Sequence, residues 1–146
     1  MNAARSSAVG FTLTELVMVM VIAGILAAFA ASRISTTSFD TEGFANRAGA
    51  MVRYAQKIAI SQRRTVFVVL TGSNIKLCYT NSGCGTPVHE PPGTNAFSYN
   101  APSGVTLSGS TFSFNPLGKP SAGGTITVTG DIARTITVEA ETGYVH

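Results

Sequence analysis

The sequence has no tryptophan and only two cysteines in 146 residues, and charged side chains make up just 12% of it. The low charge does not leave the chain prone to disorder, because 45% of its residues are hydrophobic and Gly, Ser and Thr are plentiful. A net charge of +3 is too small to mark a nucleic-acid binder. The two cysteines, Cys78 and Cys84, are not spaced as C-x-x-C, which sets aside a redox-active pair. A zinc site needs more ligands than His89, the one candidate nearby, so no metal is expected. His89 and Glu90 sit among prolines with no nucleophile, oxyanion motif or third group beside them. They read as an exposed loop. No catalytic residue and no cofactor is expected, and no repeat is visible.

The chain does have one long apolar run. From Phe11 to Ala31 the only charged side chain is Glu15, and no proline interrupts. At ~1.5 Å per residue a helix of that length spans the ~30 Å hydrocarbon core of a bilayer. An acid inside such a segment costs ~2.5–3.5 kcal/mol on insertion scales, so Glu15 marks function unless the run is an ordinary signal anchor with an acid near its end. The segment before it, Met1–Gly10, is short and polar. A secretory signal would be cut after its apolar core, yet Ser32-Arg33-Ile34-Ser35 offers no A-x-A exit. A cut before the run, between Gly10 and Phe11, fits better and leaves the run on the mature protein.

Gly10-Phe11-Thr12-Leu13-Thr14-Glu15-Leu16, followed by such a run, resembles the prepilin motif of type IV pilins and type II secretion pseudopilins. The resemblance implies that a prepilin peptidase cuts after Gly10 and N-methylates Phe11. It makes Glu15 the acid fifth from the mature terminus. Thr14 departs from the usual aliphatic residue, Val9 stands where a basic residue often precedes the glycine, and Ser32 replaces a helix-kinking proline. In a filament core of low dielectric the Glu15 carboxylate needs a cation, and the Phe11 α-amine supplies it. That amine is on the same chain or on a neighbouring subunit. The leader is then cytoplasmic, the anchor single-pass in the bacterial inner membrane, and the C-terminal domain periplasmic.

Hydroxyl and β-branched residues in 32–38 predict a weakened or bent helix. A second helix is expected from about Asp40 to Gln62, with Phe44, Ala48, Met51, Val52, Ala55, Ile58 and Ala59 on one stripe and Arg47, Arg53 and Lys57 opposite. Asp40 is its expected N-cap, Glu42 lies in the expected first turn, and Arg63 and Arg64 complement its C-terminus. Strands are predicted at 65–70 and 74–79, a hairpin turning on Thr71-Gly72-Ser73, then at 105–107, 111–114, 125–129, 135–139 and 144–145. The class is α+β, type IV pilin-like: a long N-terminal α-helix, its first half spanning the membrane, packed on antiparallel sheet. The divisions are 1–10 leader, 11–32 transmembrane and assembly helix, 33–64 amphipathic continuation and 65–146 periplasmic β domain.

The helix stretch 53–59, the Phe-x-Phe-x-Pro-x-Gly stretch 112–118 and Gly143-Tyr144-Val145 are similar to the GspH/FimT family of minor pilins and pseudopilins. Phe39–Phe44 with Arg53–Lys57 looks closest to the minor pilin of MSHA-type pili. The implied function is structural, with partners in other pilins or pseudopilins, the peptidase and the inner membrane. Export also favours a disulfide between Cys78 and Cys84, closing a small loop at the end of a strand. Two other functions stay open. Some family members are thought to bind DNA during uptake through a basic C-terminal loop, but 139–146 holds two acids and no arginine. The other is a signal-anchored periplasmic protein of another activity. The filament also stays open among type IV pilus, MSHA-type pilus and type II secretion.

Overall fold

The computed structural model describes residues 10–31, 36–81 and 83–146. The chain divides into two compact units, Met1–Ser35 and Thr36–His146. Val9, Ser32 and Arg33 lie outside the described residues.

The first unit carries α1, Leu13–Ala31, none of whose residues is buried. Its start is set by Thr12, whose Oγ1 accepts the Glu15 amide at 3.3 Å. That is an N-cap three residues ahead of an acid, the helix start that orphan amides require.

The second unit is built on α2, Thr36–Ser61. Its buried stripe is the expected one, running from Phe44 through Met51 and Ala55 to Ala59. Its start is not. Asp40 is no N-cap but an exposed residue in the second turn, and Glu42 lies beyond the first; 36–38 are helical rather than weakened. Hydroxyl residues are tolerated here because they bond within the helix: buried Thr41 donates from Oγ1 to the Thr37 carbonyl at 2.7 Å. Its end is also closed differently. Arg63 takes φ 50°, Arg64 N–H reaches back to the Ala59 carbonyl and Arg63 N–H to Ile60, a Schellman closure made by backbone. Arg64 lays its guanidinium on the Tyr79 ring, 3.6 Å from the centroid.

Seven strands follow: β1 Val66–Thr71, β2 Asn74–Cys78, β3 Ser98–Asn100, β4 Thr106–Ser108, β5 Phe112–Phe114, β6 Gly124–Thr129 and β7 Ala133–Val138. They form two antiparallel sheets, ordered β3-β2-β1-β5 and β4-β6-β7. Thr71 pairs with Asn74, so the β1–β2 turn has two residues, Gly72 and Ser73, rather than three. Tyr144–Val145 is not a strand but a single bridge, Val138 to Val145. β3 was not foreseen. Alternate residues of both sheets (Val66, Val68, Ile75 and Leu77; Ile126, Val128, Ile136 and Val138) are buried beneath α2. The β5 margin of the first sheet is sealed by the chain's return: Ser121 N–H bonds the Ser113 carbonyl, Ser113 N–H bonds Ser121 Oγ, and Phe114 bridges Pro120. β3 forms the other margin, and among the described residues no further strand pairs with it.

Candidate assembly surfaces

Two surfaces stand out, one on each unit. The first is α1. Every residue from Gly10 to Ala31 is exposed, and the helix is long and apolar enough to cross a membrane. Apolar surface of this extent signals a membrane or other helices as its surroundings. The expected processing residues, Gly10 and Phe11, lie just ahead of the helix and outside any helix or strand, and Glu15 sits in its first turn. Among the described residues nothing pairs with the Glu15 carboxylate.

The second surface lies where α2 meets the C-terminal segment. Gln56, half buried on α2, donates from Nε2 to the carbonyls of Gly118 and Thr142 at 2.9 and 3.0 Å. One amide thereby fastens the two loops that lie before β6 and after β7. Both loops turn on glycines with positive φ, 82° at Gly118 and 68° at Gly143, a region that side chains other than glycine reach at a cost. Asn115 builds the first loop: its Oδ1 accepts the amides of Leu117 and Lys119 at 2.9 and 3.0 Å. The backbone adds Gly118 N–H to the Asn115 carbonyl and Asn115 N–H to the Lys119 carbonyl. At the second loop Lys119 Nζ meets Glu141 Oε2 at 2.7 Å, and that cation holds the Glu141 carboxyl below its ordinary range.

Cys78 and Cys84 are joined as a disulfide, with Cα atoms 5.3 Å apart. The bond fixes the end of β2, where Tyr79 also reaches back to Gln62 with its hydroxyl at 2.8 Å. His89 and Glu90 point to different partners. His89 Nδ1 lies 2.5 Å from the Thr94 carbonyl, while Glu90 Oε1 accepts the Tyr99 hydroxyl at 2.6 Å. That hydrogen bond, then burial and the Glu90 charge, raise the Tyr99 phenol above its ordinary value of 10.0, with Arg47 opposing. Arg47 stands over the Tyr99 ring at 5.7 Å. The His146 backbone exchanges both hydrogen bonds with Thr137, and its ring stacks on Tyr144.

The model of the family described as type II transport protein GspH matches residues 44–142. The chain belongs to the GspH family. The match begins inside α2 and ends at Thr142, so the GspH-family fold covers the α2–sheet unit and not α1. The GspH-family architecture is shared by two minor-pilin-type structures. The type IV minor pilin FimU of Pseudomonas aeruginosa superposes with a TM-score of 0.61 at 17% identity, covering 76% of this chain and 90% of that one. The minor pseudopilin EpsH from the type 2 secretion system of Vibrio cholerae gives 0.52 at 12% identity, over 77% and 95% of the two chains. No curated protein matches the sequence. The α+β, pilin-like class read from the sequence holds.

Gln56 and its two glycine loops were not picked out as a unit by sequence reasoning. The sequence signal was present, since Gln56, Gly118 and Gly143 each fall in a stretch that resembled the family. Nothing in linear order says that one side chain joins the other two. The ion pair of Arg134 Nε with Glu42 Oε2, at 2.5 Å between β7 and α2, had no sequence signal at all.

Proposed function

We propose that the chain is a non-enzymatic structural subunit of a type IV pilus-like or type II secretion filament. The observation that carries this is a GspH-family domain preceded by a wholly exposed, bilayer-length apolar helix with one acid in its first turn. The prepilin peptidase cuts between Gly10 and Phe11 and methylates Phe11. The helix holds the subunit in the inner membrane with its second unit periplasmic, until it leaves the bilayer to pack against the helices of other pilins or pseudopilins. The proposed divisions are 1–10, 11–32, 33–64 and 65–146. Glu15 sets register by pairing with a Phe11 α-amine, since an amine left alone in a low-dielectric core is strongly unfavourable. DNA is not assigned as a partner, because 139–146 holds two acids and no arginine, and phosphates call for clustered Lys and Arg.

Glu15→Leu tests the reading. The variant should insert in membranes as the wild type does and be absent from sheared filaments. Co-assembly at the wild-type level would sink the role of Glu15. Mass spectrometry of the mature terminus should find N-methylated Phe11. The company the subunit keeps in crosslinked pull-downs names the machine: type IV pilus, MSHA-type pilus or type II secretion.

A further inference from the structure

Among the described residues, the exposed large apolar side chains of the second unit gather at its two ends. At the start of α2 are Phe39, 74% exposed, and Ile132, 47% exposed in the turn between β6 and β7. At the other end are Ile60, Leu117 and Tyr144. Close approaches along the helix fix this order. A Cβ on Gly130, in the same turn as Ile132, would strike Thr41, and one on Gly104 would touch Thr37. A Cβ on Gly118 would instead meet Ile60 and Gln56. From Thr36 to Ile60 the helix rises about 36 Å.

Chain length decides which end is held beside the bilayer. α1 ends at Ala31 and α2 starts at Thr36, so only residues 32–35 join a bilayer-length helix to the second unit. Fully extended, that connection reaches about 18 Å. The start of α2 is thus tethered near the surface that α1 leaves. Leu117, about a helix length away, carries no such constraint.

Phe39 and Ile132 lie on different sides of α2. Phe39 is about 200° around the helix from Thr41, at 100° per residue, and Thr41 is the residue that meets the β6–β7 turn. Phe39 shares a cavity wall with Tyr99 and Pro102 instead. One flat surface laid across the start of α2 meets both side chains. The Cα–Cβ bonds of a helix lean toward its N-terminus, so Phe39 leans toward that surface. Asp40 and Asp131 are exposed beside them, at a level where water and the ammonium groups of lipids satisfy a carboxylate. Because the anchor makes the contact intramolecular, a small apolar area is enough to hold it.

We propose that, before assembly, the second unit docks by the start of α2 on the periplasmic face of the bilayer, with Phe39 and Ile132 seated where headgroups meet acyl chains. The proposal rests on the reading of α1 as a membrane anchor and adds a lipid contact made by the second unit. The chain has no tryptophan, so one introduced tryptophan reports its own position without background. The full chain, carrying Phe39→Trp, Ile132→Trp, Leu117→Trp or Val21→Trp, is reconstituted in phosphatidylcholine vesicles. Their acyl chains bear bromine either near the headgroup or near the bilayer centre. Emission at 39 and 132 should fall about two-fold with the shallow bromines and little with the deep ones, as for side chains ~5–10 Å into the headgroup and acyl boundary. Emission at 117 should not change. Adding Phe39→Asp to the Ile132→Trp chain should release position 132 and restore most of its emission. Far-UV circular dichroism matching the wild type shows that these exposed substitutions leave the fold intact. Unquenched emission at 39 or 132, quenching at 117 equal to theirs, or indifference of 132 to Phe39→Asp would overturn the docking. Position 21 tests the anchor separately and should be quenched by the deep bromines. If 21 is quenched while 39 and 132 are not, the docking falls and the anchor stands. If 21 escapes while 39 and 132 are quenched as expected, the anchor falls and the docking stands.

Discussion

Gly143 rests on Gly118: a Cβ added at Gly143 would stand 2.5 Å from the Gly118 carbonyl oxygen and 2.6 Å from Gln56 Nε2. Backbone cannot yield as a side chain can, and φ is 68° besides. Gly143→Ala should therefore cost about 2–4 kcal/mol. At Gly118 a Cβ would meet Ile60 Cδ1 at 2.7 Å, the end of a flexible side chain that can turn aside. Gly118→Ala should cost less, about 1–2 kcal/mol, mostly backbone, and Ile60→Ala in that background should recover part of it. Denaturation of the full chain in detergent, followed by tyrosine circular dichroism, ranks the variants. Equal losses at the two positions would contradict the contact.

Gln56→Glu should be more harmful than its size suggests. The side chain would place a carboxylate oxygen where an N–H now serves two carbonyls, losing two hydrogen bonds of about 1 kcal/mol each and adding repulsion. Protonating the new carboxyl restores a donor, so the deficit should shrink below the carboxylate range. A deficit independent of pH would mean that Gln56 acts through packing alone.

Reduction of the Cys78–Cys84 bond should lower stability by about 2 kcal/mol, the chain-entropy value for so small a loop. Cys78→Ser with Cys84→Ser should match the reduced wild type. The comparison is melting with and without dithiothreitol, and the double variant should not respond to the reductant.

Tyr99 predicts an alkaline limit. Its phenol holds its proton more tightly in the folded chain than in the unfolded one, chiefly through the hydrogen bond to Glu90. The contribution to stability is therefore complete below the ordinary value of 10.0 and is lost as pH rises from there through the raised value. Glu90→Gln keeps an acceptor and removes the charge, so the loss should be smaller and end closer to the ordinary value. Phenolate absorbance during an alkaline titration reads both.

The stripe of α2 was legible because apolar residues at helical spacing have one simple solution, a face against a sheet. Strands β1, β2, β6 and β7 were legible for the matching reason of β-branched alternation between glycine turns. The start of α2 was not. Asp40 looks like a cap to local chemistry, but Thr41 satisfies its hydroxyl on Thr37 and lets the helix begin earlier. β3 was hidden because Ser98-Tyr99-Asn100 has no β-branched residue. It is a strand because Asn74, Ile75 and Lys76 pair with it, and because Asn74 Nδ2 bonds both Ser98 Oγ and Asn100 Oδ1. At the anchor, the motif from Gly10 to Leu16 announced the helix start and its acid. The Gln56 fastening lay beyond sequence, since it joins residues 62 and 86 positions apart.

The unequal margins of the first sheet have a consequence for how the domain behaves in a crowded compartment. The β5 side is closed by Ser121 and Pro120, so hydrogen-bonded growth can occur only at the short β3 side. Two domains that met by strand pairing there would use up the one unsealed margin of that sheet in each. Such a pair is a dead end for cross-β growth through the first sheet, which cannot template a fibre of itself.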